Sequence, residues 1–503
     1  MHRRIAFLSE HASPTALRGG EDAGGQNVYV DEVSRNLAQL GYEVDIFTRR
    51  NTDEIPEVLD WAPGVRIIHL TAGPVEFLLK DAIWPFMPAF HDAFLQFIAC
   101  DGKRYDLIHS NFWMSGWVAA RLRRELHIPV VQIFHAMGTT KRKHQGEMDS
   151  SPDERIDIER GIIQQVDRLI AQCPAEESEL IDDYGADARK IALIPSAVNT
   201  DVFRPVDLYE ARRAIGIDPD GFVVAYVGRM LPRKDVRNVV RALAHLLTLY
   251  KEKPSIVGAH PCGRPTTSQD AHNNDTASAS IVGAHPCGRP ASGRLASGRP
   301  TTSQDVPTQG DHKGRPYNDT GITLLLVGGE TEEPDPVATP EIGVLQQLAA
   351  ELGIDRHVRF TGKRQQDRLR YYYSASNVAV TTPWYEPFGL TPLEGMACGR
   401  PVIGSAVGGI TFTIKDGETG FLVPPRDPAA LARQLYRLLV EPGLSERMGT
   451  AARARVEQEF TWHTVAVRTA ALYERLLAEF PAQTAWLHAQ PAMSSPHGSR
   501  GGR

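Results

Sequence analysis

One segment limits most strongly what this 503-residue chain can fold into, because a buried strand, a turn and a helix follow one another directly. The apolar residues Val378-Ala379-Val380 suit a buried strand, and residues 393–397 suit a short helix that ends at Cys398-Gly399. Between them, the run Glu386-Pro-Phe-Gly-Leu-Thr-Pro-Leu-Glu394 has a carboxylate at each end. Glu386 therefore lies just beyond the carboxyl end of a strand, where open α/β sheets bind their ligands.

The turn itself has two explanations. If Thr391 is the N-cap, Pro392 takes the first helical position and Glu394 the third, so the free amides and the positive end of the helix dipole face a ligand such as phosphate. Gly389 would let the backbone approach that ligand closely. The same T-x-x-E spacing is also a capping box, which would explain Glu394 without any ligand.

The alternation of strand and helix recurs along the chain. It predicts an α/β protein with parallel, doubly wound sheets. A linker is expected at residues 203–221, helical patterns at 152–170, and three helices between 428 and 478. The predicted strands cover residues 4–9, 44–47, 65–70, 107–109, 130–134, 191–194, 222–227, 322–329, 358–362, 378–380, 402–409 and 420–423.

The composition is that of a soluble globular protein with two or three domains, with 42% hydrophobic and 23% charged residues. A net charge of −6 gives no electrostatic basis for nucleic acid as a partner. Five scattered cysteines indicate a reducing compartment rather than a disulfide framework. No run approaches the roughly 18 apolar residues of a membrane span, and the aromatic segment 83–98 is interpreted as a packed helix. We expect a cytoplasmic protein, for which peripheral membrane contact stays open.

A repeat-rich insert is predicted at residues 253–318. Residues 255–265 recur identically as 280–290, and residues 263–270 recur as 298–305. Segments so rich in Gly, Pro, Ser and Thr cannot form a core, so a disordered surface loop is expected. A zinc site at the His260/Cys262 and His285/Cys287 pairs is the rival interpretation, but it lacks the usual C-x-x-C spacing.

Three further stretches follow predicted strands and suit anionic or sugar ligands. Residues 19–27 form a glycine-rich turn that could hold a diphosphate on backbone amides, although the spacing is not G-x-G-x-x-G. His135 ends one strand and precedes a basic cluster. Arg229 and Lys234 follow another strand, where their cations suit a pyrophosphate. Each stretch could also be a surface loop.

Taken together and in order, these motifs resemble a known family. Gly24-Gly-Gln-Asn-Val-Tyr-Val30, His135, Pro195 to Phe203, Gly228 to Lys234 and Glu386 to Glu394 resemble the retaining nucleotide-sugar glycosyltransferases with the GT-B fold. The branch most similar in appearance holds sucrose-phosphate synthase, sucrose synthase and the glycosyltransferase of mycothiol synthesis. The resemblance covers about residues 3–250 and 320–478.

The resemblance implies two Rossmann-like, doubly wound domains that face each other across a cleft. The acceptor domain would span residues 1–205 and the donor domain residues 206–478, with residues 461–478 crossing back to the first domain. Residues 479–503 would form a flexible tail.

The resemblance also implies roles for individual residues. Arg229 and Lys234 would neutralise the donor diphosphate, Glu386 would hold hydroxyls of the transferred sugar, Glu394 would hold the ribose, and His135 would lie near the reacting carbon. These four, His135, Glu386, Lys234 and Arg229, form the expected catalytic set. The full expected donor site contains Gly24, Gly25, Arg229, Lys234, Glu386, Phe388, Gly389, Leu390, Thr391 and Glu394.

The expected reaction moves a hexosyl unit from a nucleotide sugar, with a UDP sugar favoured, to a sugar or sugar-phosphate acceptor with retention of configuration. Clustered charge suggests that Lys141, Arg142, Lys143 and Arg155 bind a phosphorylated acceptor. No cofactor or metal is expected, since Arg, Lys and helix amides can supply the positive charge. The alternatives are a GT-B sugar-nucleotide epimerase or phosphorylase and a non-catalytic sugar-binding protein. A dinucleotide-dependent dehydrogenase is disfavoured, because this sequence lacks the G-x-G-x-x-G signature of such enzymes.

Overall fold

A computed structural model describes residues 3–16, 24–146, 149–252 and 320–480 of the chain. The strands are β1 Arg4–Leu8, β2 Glu43–Arg49, β3 Val58–Ala62, β4 Val65–Leu70, β5 Leu107–Asn111, β6 Val130–Ile133, β7 Arg168–Ala171, β8 Ile191–Leu193, β9 Phe222–Val227, β10 Ile322–Val327, β11 Val358–Gly362, β12 Val378–Thr381, β13 Val402–Ser405 and β14 Gly420–Val423. The helices are α1 Gly25–Gln39, α2 Met87–Asp101, α3 Phe112–Leu126, α4 Gly138–Gln145, α5 Arg155–Gln165, α6 Pro174–Asp182, α7 Leu208–Ala214, α8 Val236–Glu252, α9 Pro340–Glu351, α10 Gln366–Ala375, α11 Leu390–Ala397, α12 Ile410–Thr413, α13 Pro428–Val440, α14 Leu444–Glu459 and α15 Trp462–Glu479.

The first domain is built on an eight-stranded sheet in the order β3-β4-β2-β1-β5-β6-β7-β8. Only β3 runs antiparallel, in a hairpin with β4; the other neighbours are parallel. Strands β2, β3 and β4 lie on one side of β1, and strands β5 to β8 lie on the other side. The gap between the ends of β1 and β5 is therefore a switch point, where such sheets bind ligands.

The second domain is built on a six-stranded parallel sheet in the order β11-β10-β9-β12-β13-β14. Its strands β9, β10 and β12 are short apolar runs that are almost entirely buried, as parallel sheets covered by helices require. The switch point lies between β9 and β12. The expectation of two doubly wound α/β domains is confirmed.

Helix α15 leaves the second domain and packs on the first. Val465, Leu472 and Leu476 join the core around β1 and α1. The Tyr473 hydroxyl hydrogen-bonds His109 Nδ1 at 2.5 Å, and the Tyr42 hydroxyl donates to Glu474 at 2.9 Å. The two domains are thus joined by a buried helix in addition to the chain connection before β9.

The structure corrects three details of the predicted elements. The expected helical pattern over 152–170 contains α5 followed after two residues by β7. The expected linker over 203–221 contains α7, and Phe203 within it is buried. The antiparallel strand β3 was not predicted. The aromatic segment 83–98 forms a 3₁₀ turn over Lys80–Phe86 and then α2, whose Phe90 and Phe94 are fully buried in the core.

The repeats of residues 253–318, with His260, Cys262, His285 and Cys287, lie outside the described residues, as do residues 17–23 and 481–503. Since α8 ends at Glu252 and β10 begins at Ile322, this stretch connects a helix to a strand. Among the helices that are described, none combines the length and the apolar character needed to cross a bilayer.

Candidate active site

The switch point of the second sheet brings together the loops that follow β9 and β12. The Trp384 amide donates to the Arg233 carbonyl at 2.9 Å, and the Thr382 hydroxyl donates to the Asp235 carbonyl at 3.1 Å. These bonds fix one loop against the other. As a result Lys234 and Glu386, 152 positions apart in the chain, form a partly buried ion pair between Nζ and Oε2.

The turn after β12 differs from the predicted capping box. Helix α11 begins at Leu390 with Gly389 as its N-cap, and no side chain caps the helix. Gly389 has φ of +86°, which favours glycine, and a β-carbon there would lie 2.9 Å from Glu386 Cγ. The prediction of Thr391 as N-cap is therefore wrong, because the left-handed Gly389 starts the helix earlier than the T-x-x-E pattern indicates.

Glu394 is half-buried and does not cap the helix. Its Oε2 accepts a hydrogen bond of 2.8 Å from the hydroxyl of Tyr373, which is fully buried. Burial raises the pKa of the Glu394 carboxyl to about 7, while Tyr373 and then Lys234 act in the opposite direction. Glu394 is thus held by a tyrosine, with a carboxyl group that changes charge near neutral pH.

Two glycines after β13 support the backbone of Glu386. The Gly409 amide donates to the Glu386 carbonyl at 3.0 Å. Gly408 has φ of +45°, and a β-carbon there would lie 2.1 Å from the same carbonyl oxygen. The position of Glu386 therefore depends on residues of the neighbouring loop that have no side chain.

His135 follows β6 in the first domain and has a strained backbone, with φ of +60°. Its Nε2 lies 3.0 Å from Asn111 Oδ1, and the Asn111 amide nitrogen donates to the Leu8 carbonyl at 3.3 Å. Since Oδ1 can only accept, Nε2 carries the proton and Nδ1 is left as an acceptor. Burial lowers the pKa of His135 to about 3, with smaller contributions from His109 and His11, so the ring is neutral at neutral pH.

The first domain also contributes the start of α1. This helix begins at Gly25 with Gly24 as its N-cap, and the Gly24 amide donates to Asn27 Oδ1 at 3.0 Å. A β-carbon on Gly25 would lie 3.5 Å from Leu390 Cδ1 of the second domain. The N-termini of α1 and α11 therefore approach each other across the cleft.

A cavity of about 830 Å³ lies between these elements, and we call it the donor cavity after the expected donor site. It brings together every residue of the expected donor site, together with His135: Gly24, Gly25, His135, Arg229, Lys234, Glu386, Phe388, Gly389, Leu390, Thr391 and Glu394.

The sequence analysis missed another part of the donor cavity, residues 363–367 after β11. Gly362-Lys363-Arg364 repeats the order of glycine and cation found at Gly228-Arg229, here at the end of the edge strand β11, and this signal could have identified it. Arg364 Nε donates to the Tyr372 hydroxyl at 2.8 Å, which fixes the side chain at the cavity wall.

Of the four basic residues expected to bind a phosphorylated acceptor, Lys143 lines a second cavity of this cleft, of about 440 Å³, whereas the other three line neither this cavity nor the donor cavity. Lys141 pairs with Asp149 at 2.8 Å and donates to Ser151 Oγ at 2.8 Å. Arg142 lies 3.6 Å from Asp153.

The fourth residue, Arg155, is the first residue of α5 and is 1% exposed. Its guanidinium donates to Glu159 at 2.8 Å, to Ser151 Oγ at 3.1 Å and to the Ala136 carbonyl at 2.6 Å. In this structure Arg155 therefore holds the segment after His135. Within the described part of the chain, no three His, Cys, Asp or Glu side chains form a group that could hold a metal ion.

The comparison with known proteins agrees with this architecture. The model of the Glycosyltransferase Family 4 matches residues 23–202, and the model of the Glycosyl transferases group 1 matches residues 316–455. A D-inositol 3-phosphate glycosyltransferase of Streptomyces bingchenggensis is 34% identical over 94% of this chain and 89% of its own length. The equivalent protein of Acidothermus cellulolyticus is 33% identical over 95% and 91%.

Among solved structures, sucrose-phosphate synthase of Thermosynechococcus elongatus superposes with a TM-score of 0.72 at 32% identity, covering 95% of this chain and all of that one. Anabaena HepE in complex with UDP and glucose superposes with a TM-score of 0.61 at 17% identity, covering 94% of this chain and all of that one. The second likeness concerns the fold alone.

Proposed function

Since this chain belongs to the group 1 glycosyltransferases, we propose that it moves a hexosyl unit from a nucleoside-diphosphate sugar, a UDP sugar in the first instance, to a hydroxyl of a sugar or sugar phosphate. The anomeric configuration is retained, as in the family that the sequence resembles. The observation that carries the proposal is the meeting of Lys234 and Glu386 at the switch point of the second sheet, inside a cavity that spans both domains.

The leaving group is held by cations. Arg229 and Lys234 lie where a donor diphosphate would enter, and the first amides of α11 add the positive end of a helix dipole. Charge that develops on the departing diphosphate is stabilised by these fixed groups, so the transfer needs no divalent metal. The N-terminus of α1 contributes amides from the opposite side of the cavity.

The transferred sugar and the ribose are held by the two carboxylates. Glu386 accepts hydrogen bonds from the sugar hydroxyls and Glu394 from the ribose hydroxyls, while the Nδ1 acceptor of neutral His135 takes a further sugar hydroxyl. On transfer the bond from C1 to the diphosphate oxygen breaks, a bond from C1 to the acceptor oxygen forms, and the acceptor proton leaves to the diphosphate. The protein holds these groups in reacting geometry, which is the main source of rate for such a step.

Names of relatives support the class of acceptor. The relatives from Streptomyces bingchenggensis and Acidothermus cellulolyticus are named for D-inositol 3-phosphate, and the solved relative is named for sucrose phosphate. Both names contain a small polyhydroxylated molecule that carries a phosphate. We propose the same class for this chain.

The test is product analysis with purified protein, UDP-glucose and a panel of acceptors, using mass spectrometry for the product and NMR for its anomeric configuration. Lys234→Ala, Glu386→Ala and His135→Ala should each abolish transfer while circular dichroism stays unchanged. Lys415→Ala, at an exposed position, is the matched control and should keep full activity.

Several results would contradict the proposal. Full activity in any two of the three variants would refute the assignment of the site. An altered nucleotide sugar formed without acceptor would indicate an epimerase, and turnover that depends on inorganic phosphate would indicate a phosphorylase. Binding of nucleotide sugars without cleavage under any condition would indicate a sugar-binding protein.

A further inference from the structure

The orientation of the His135 ring depends on two contacts. Its backbone is strained, with φ of +60°, so the surrounding residues must hold the side chain in place. The bond of 3.0 Å between Nε2 and Asn111 Oδ1 fixes one corner of the ring but allows the ring to turn about that bond. The ring of Tyr29 packs edge to face with the imidazole, with centroids 4.9 Å apart and planes inclined by 72°. Asn111 therefore fixes the position of the imidazole, and Tyr29 fixes its plane.

Tyr29 is too deeply buried to contact a substrate. It belongs to α1, is 1% exposed and lies in the core of the first domain. Two other residues of the same helix, Gly25 and Val28, line the donor cavity, whereas Tyr29 lines neither this cavity nor the second one. His135 lines both. An influence of Tyr29 on the reaction must therefore pass through His135.

The same tyrosine ring packs against the residue at which the chain returns to the first domain. Trp462, the first residue of α15, is 4% exposed, and its ring centroid lies 6.0 Å from that of Tyr29 with the planes inclined by 74°. Directly before it, Thr461 pairs with Val198 in a parallel β-bridge, and the Val198 amide donates to the Phe460 carbonyl at 3.0 Å. The two chain connections between the domains thus run side by side at the start of α15. Tyr29 contacts both this hinge region and His135.

Helix α15 also reaches Tyr29 by a second route. The ring centroid of His109 lies 6.1 Å from that of Tyr29, and His109 Nδ1 shares a hydrogen bond with the hydroxyl of Tyr473 in α15. His109 is fully buried. A shift of α15 against the first domain would therefore act on the Tyr29 ring at two points.

The ring of Tyr29 makes these contacts, and its hydroxyl does not. The hydroxyl oxygen is buried and has no hydrogen-bond partner among the described residues, and the same is true of Trp462 Nε1. A buried hydroxyl without a partner costs free energy instead of stabilising the fold, so phenylalanine should replace Tyr29 without loss. A side chain without an aromatic ring should lose the contact to His135.

We propose that Tyr29 is a positioning residue whose ring sets the plane of His135, and that its contact with Trp462 makes this plane depend on how α15 lies against the first domain. The effect on turnover rests on the proposed function. While the plane is held, the Nδ1 acceptor of His135 keeps one direction; once the plane is released, the acceptor turns away and the reacting geometry is lost. The donor is held by other residues, so its binding is retained.

The first experiment measures UDP release by the full-length protein with UDP-glucose and D-inositol 3-phosphate as substrates. Tyr29→Leu should lower kcat at least about tenfold, because small misplacements of a reacting group have large effects on rate, and leave the KM for UDP-glucose within about twofold. Tyr29→Phe should keep kcat within about twofold of the wild-type value. Tyr42→Leu is the matched control, since Tyr42 lies in the same core but packs on Tyr473. It should lower the Tm as Tyr29→Leu does and leave kcat unchanged.

The contact with the hinge region is tested by Trp462→Leu and by the double variant. Trp462→Leu should lower kcat at least about threefold, and the double variant with Tyr29→Leu should be no slower than Tyr29→Leu alone, because both changes act through one ring. If the effects of the two single changes multiply in the double variant, Trp462 does not act through Tyr29 and this part of the inference is wrong.

A second readout does not depend on turnover. NMR of the ring nitrogens in the ligand-free protein, with His135 assigned from the signals lost in His135→Ala, should show one tautomer, with the proton on Nε2. Tyr29→Leu should draw the two nitrogen resonances of His135 together, because a released ring loses its bond to Asn111 and exchanges tautomers. Tyr29→Phe and Tyr42→Leu should leave them in place.

Three outcomes would overturn the inference: unchanged His135 resonances in Tyr29→Leu, an equal loss of kcat in Tyr29→Phe, or a raised KM for UDP-glucose in place of a lowered kcat. Absence of UDP release by the wild-type protein with any nucleotide sugar would count against the proposed function. The NMR result would then decide on the positioning role of Tyr29 by itself.

Discussion

Replacing Glu394 by Gln should stabilise the free protein and weaken nucleotide binding at the same time. The carboxyl group has a pKa of about 7 in the folded chain against an ordinary value of 4.5, with burial as the main cause. The folded state therefore keeps a proton that the unfolded chain releases, and wild-type stability decreases as pH rises from about 4.5 to about 7. The difference between the two pKa values corresponds to about 3 kcal/mol of unfolding free energy. The wild-type protein loses this stability as the pH rises, and the glutamine variant does not.

The assay is thermal unfolding of both ligand-free proteins at pH 5 and pH 8. The Tm of Glu394→Gln relative to wild type should increase by several degrees between the two pH values, because the amide can still accept the hydrogen bond of Tyr373. Titration calorimetry with UDP at pH 8 should show at least about tenfold weaker binding by the variant. Glu418→Gln, on the exposed surface, should change stability by no more than about 0.5 kcal/mol.

Either of two results would refute this reasoning. A Tm difference between variant and wild type that is the same at pH 5 and pH 8 would show that Glu394 is not held protonated by burial. Unchanged UDP affinity would show that its carboxylate does not contact the nucleotide.

Three further predictions concern the supports of the site. Gly408→Ala should displace Glu386 and weaken binding of UDP-glucose at least about tenfold by calorimetry, because its β-carbon would lie 2.1 Å from the Glu386 carbonyl oxygen; unchanged affinity would contradict this. Tyr473→Phe should lower the unfolding free energy by about 1–2 kcal/mol through loss of its bond to His109, without changing the KM of either substrate; a raised KM would show that α15 also tunes the site. Arg155→Ala should lower the unfolding free energy by about 3–5 kcal/mol, since buried Glu159 loses its cation and keeps only the hydrogen bonds of Gly138 and Tyr184; a stable variant impaired only on phosphorylated acceptors would instead support a contact to phosphate.

The strand pattern predicted most of the fold because parallel sheets are built from continuous apolar runs. The bounds expected for β4, β9, β11 and β14 agree with those observed. Strand β7 was missed because it follows α5 after only two residues, so its four residues continue the helical pattern. Helix α7 was missed because it has little apolar periodicity, although the Asp207 side chain that accepts from two amides at its start was a readable signal.

The meeting of several expected site residues at one sheet edge was predictable, and the surroundings of the basic cluster were not, for a physical reason. Residues that follow the strands of a parallel sheet lie at its carboxyl edge, so Lys234 after β9 and Glu386 after β12 could be assigned to the same edge from the sequence. Their direct contact depends on the sheet order, in which β9 and β12 are neighbours. The residue that pairs with a basic side chain cannot be predicted from strand positions in this way. Arg155 has its carboxylate four residues ahead, a spacing that a helix turns into a contact, whereas the bond from Arg155 to the Ala136 carbonyl depends on the packing of two segments.

In the proposed reaction, the Lys234–Glu386 pair would link the two halves of donor binding. Without ligand, each group satisfies the charge of the other in a partly buried position, so neither is left unpaired. A donor diphosphate offers Lys234 a more highly charged partner, and a shift of Nζ toward it frees Glu386 Oε2 to accept sugar hydroxyls. Inorganic diphosphate would offer a new partner to Lys234 alone, and a free sugar would offer one to Glu386 alone. In either case the other residue of the ion pair would be left less well paired. The intact nucleotide sugar replaces both partners at once, so we expect its affinity to exceed what the separate halves indicate.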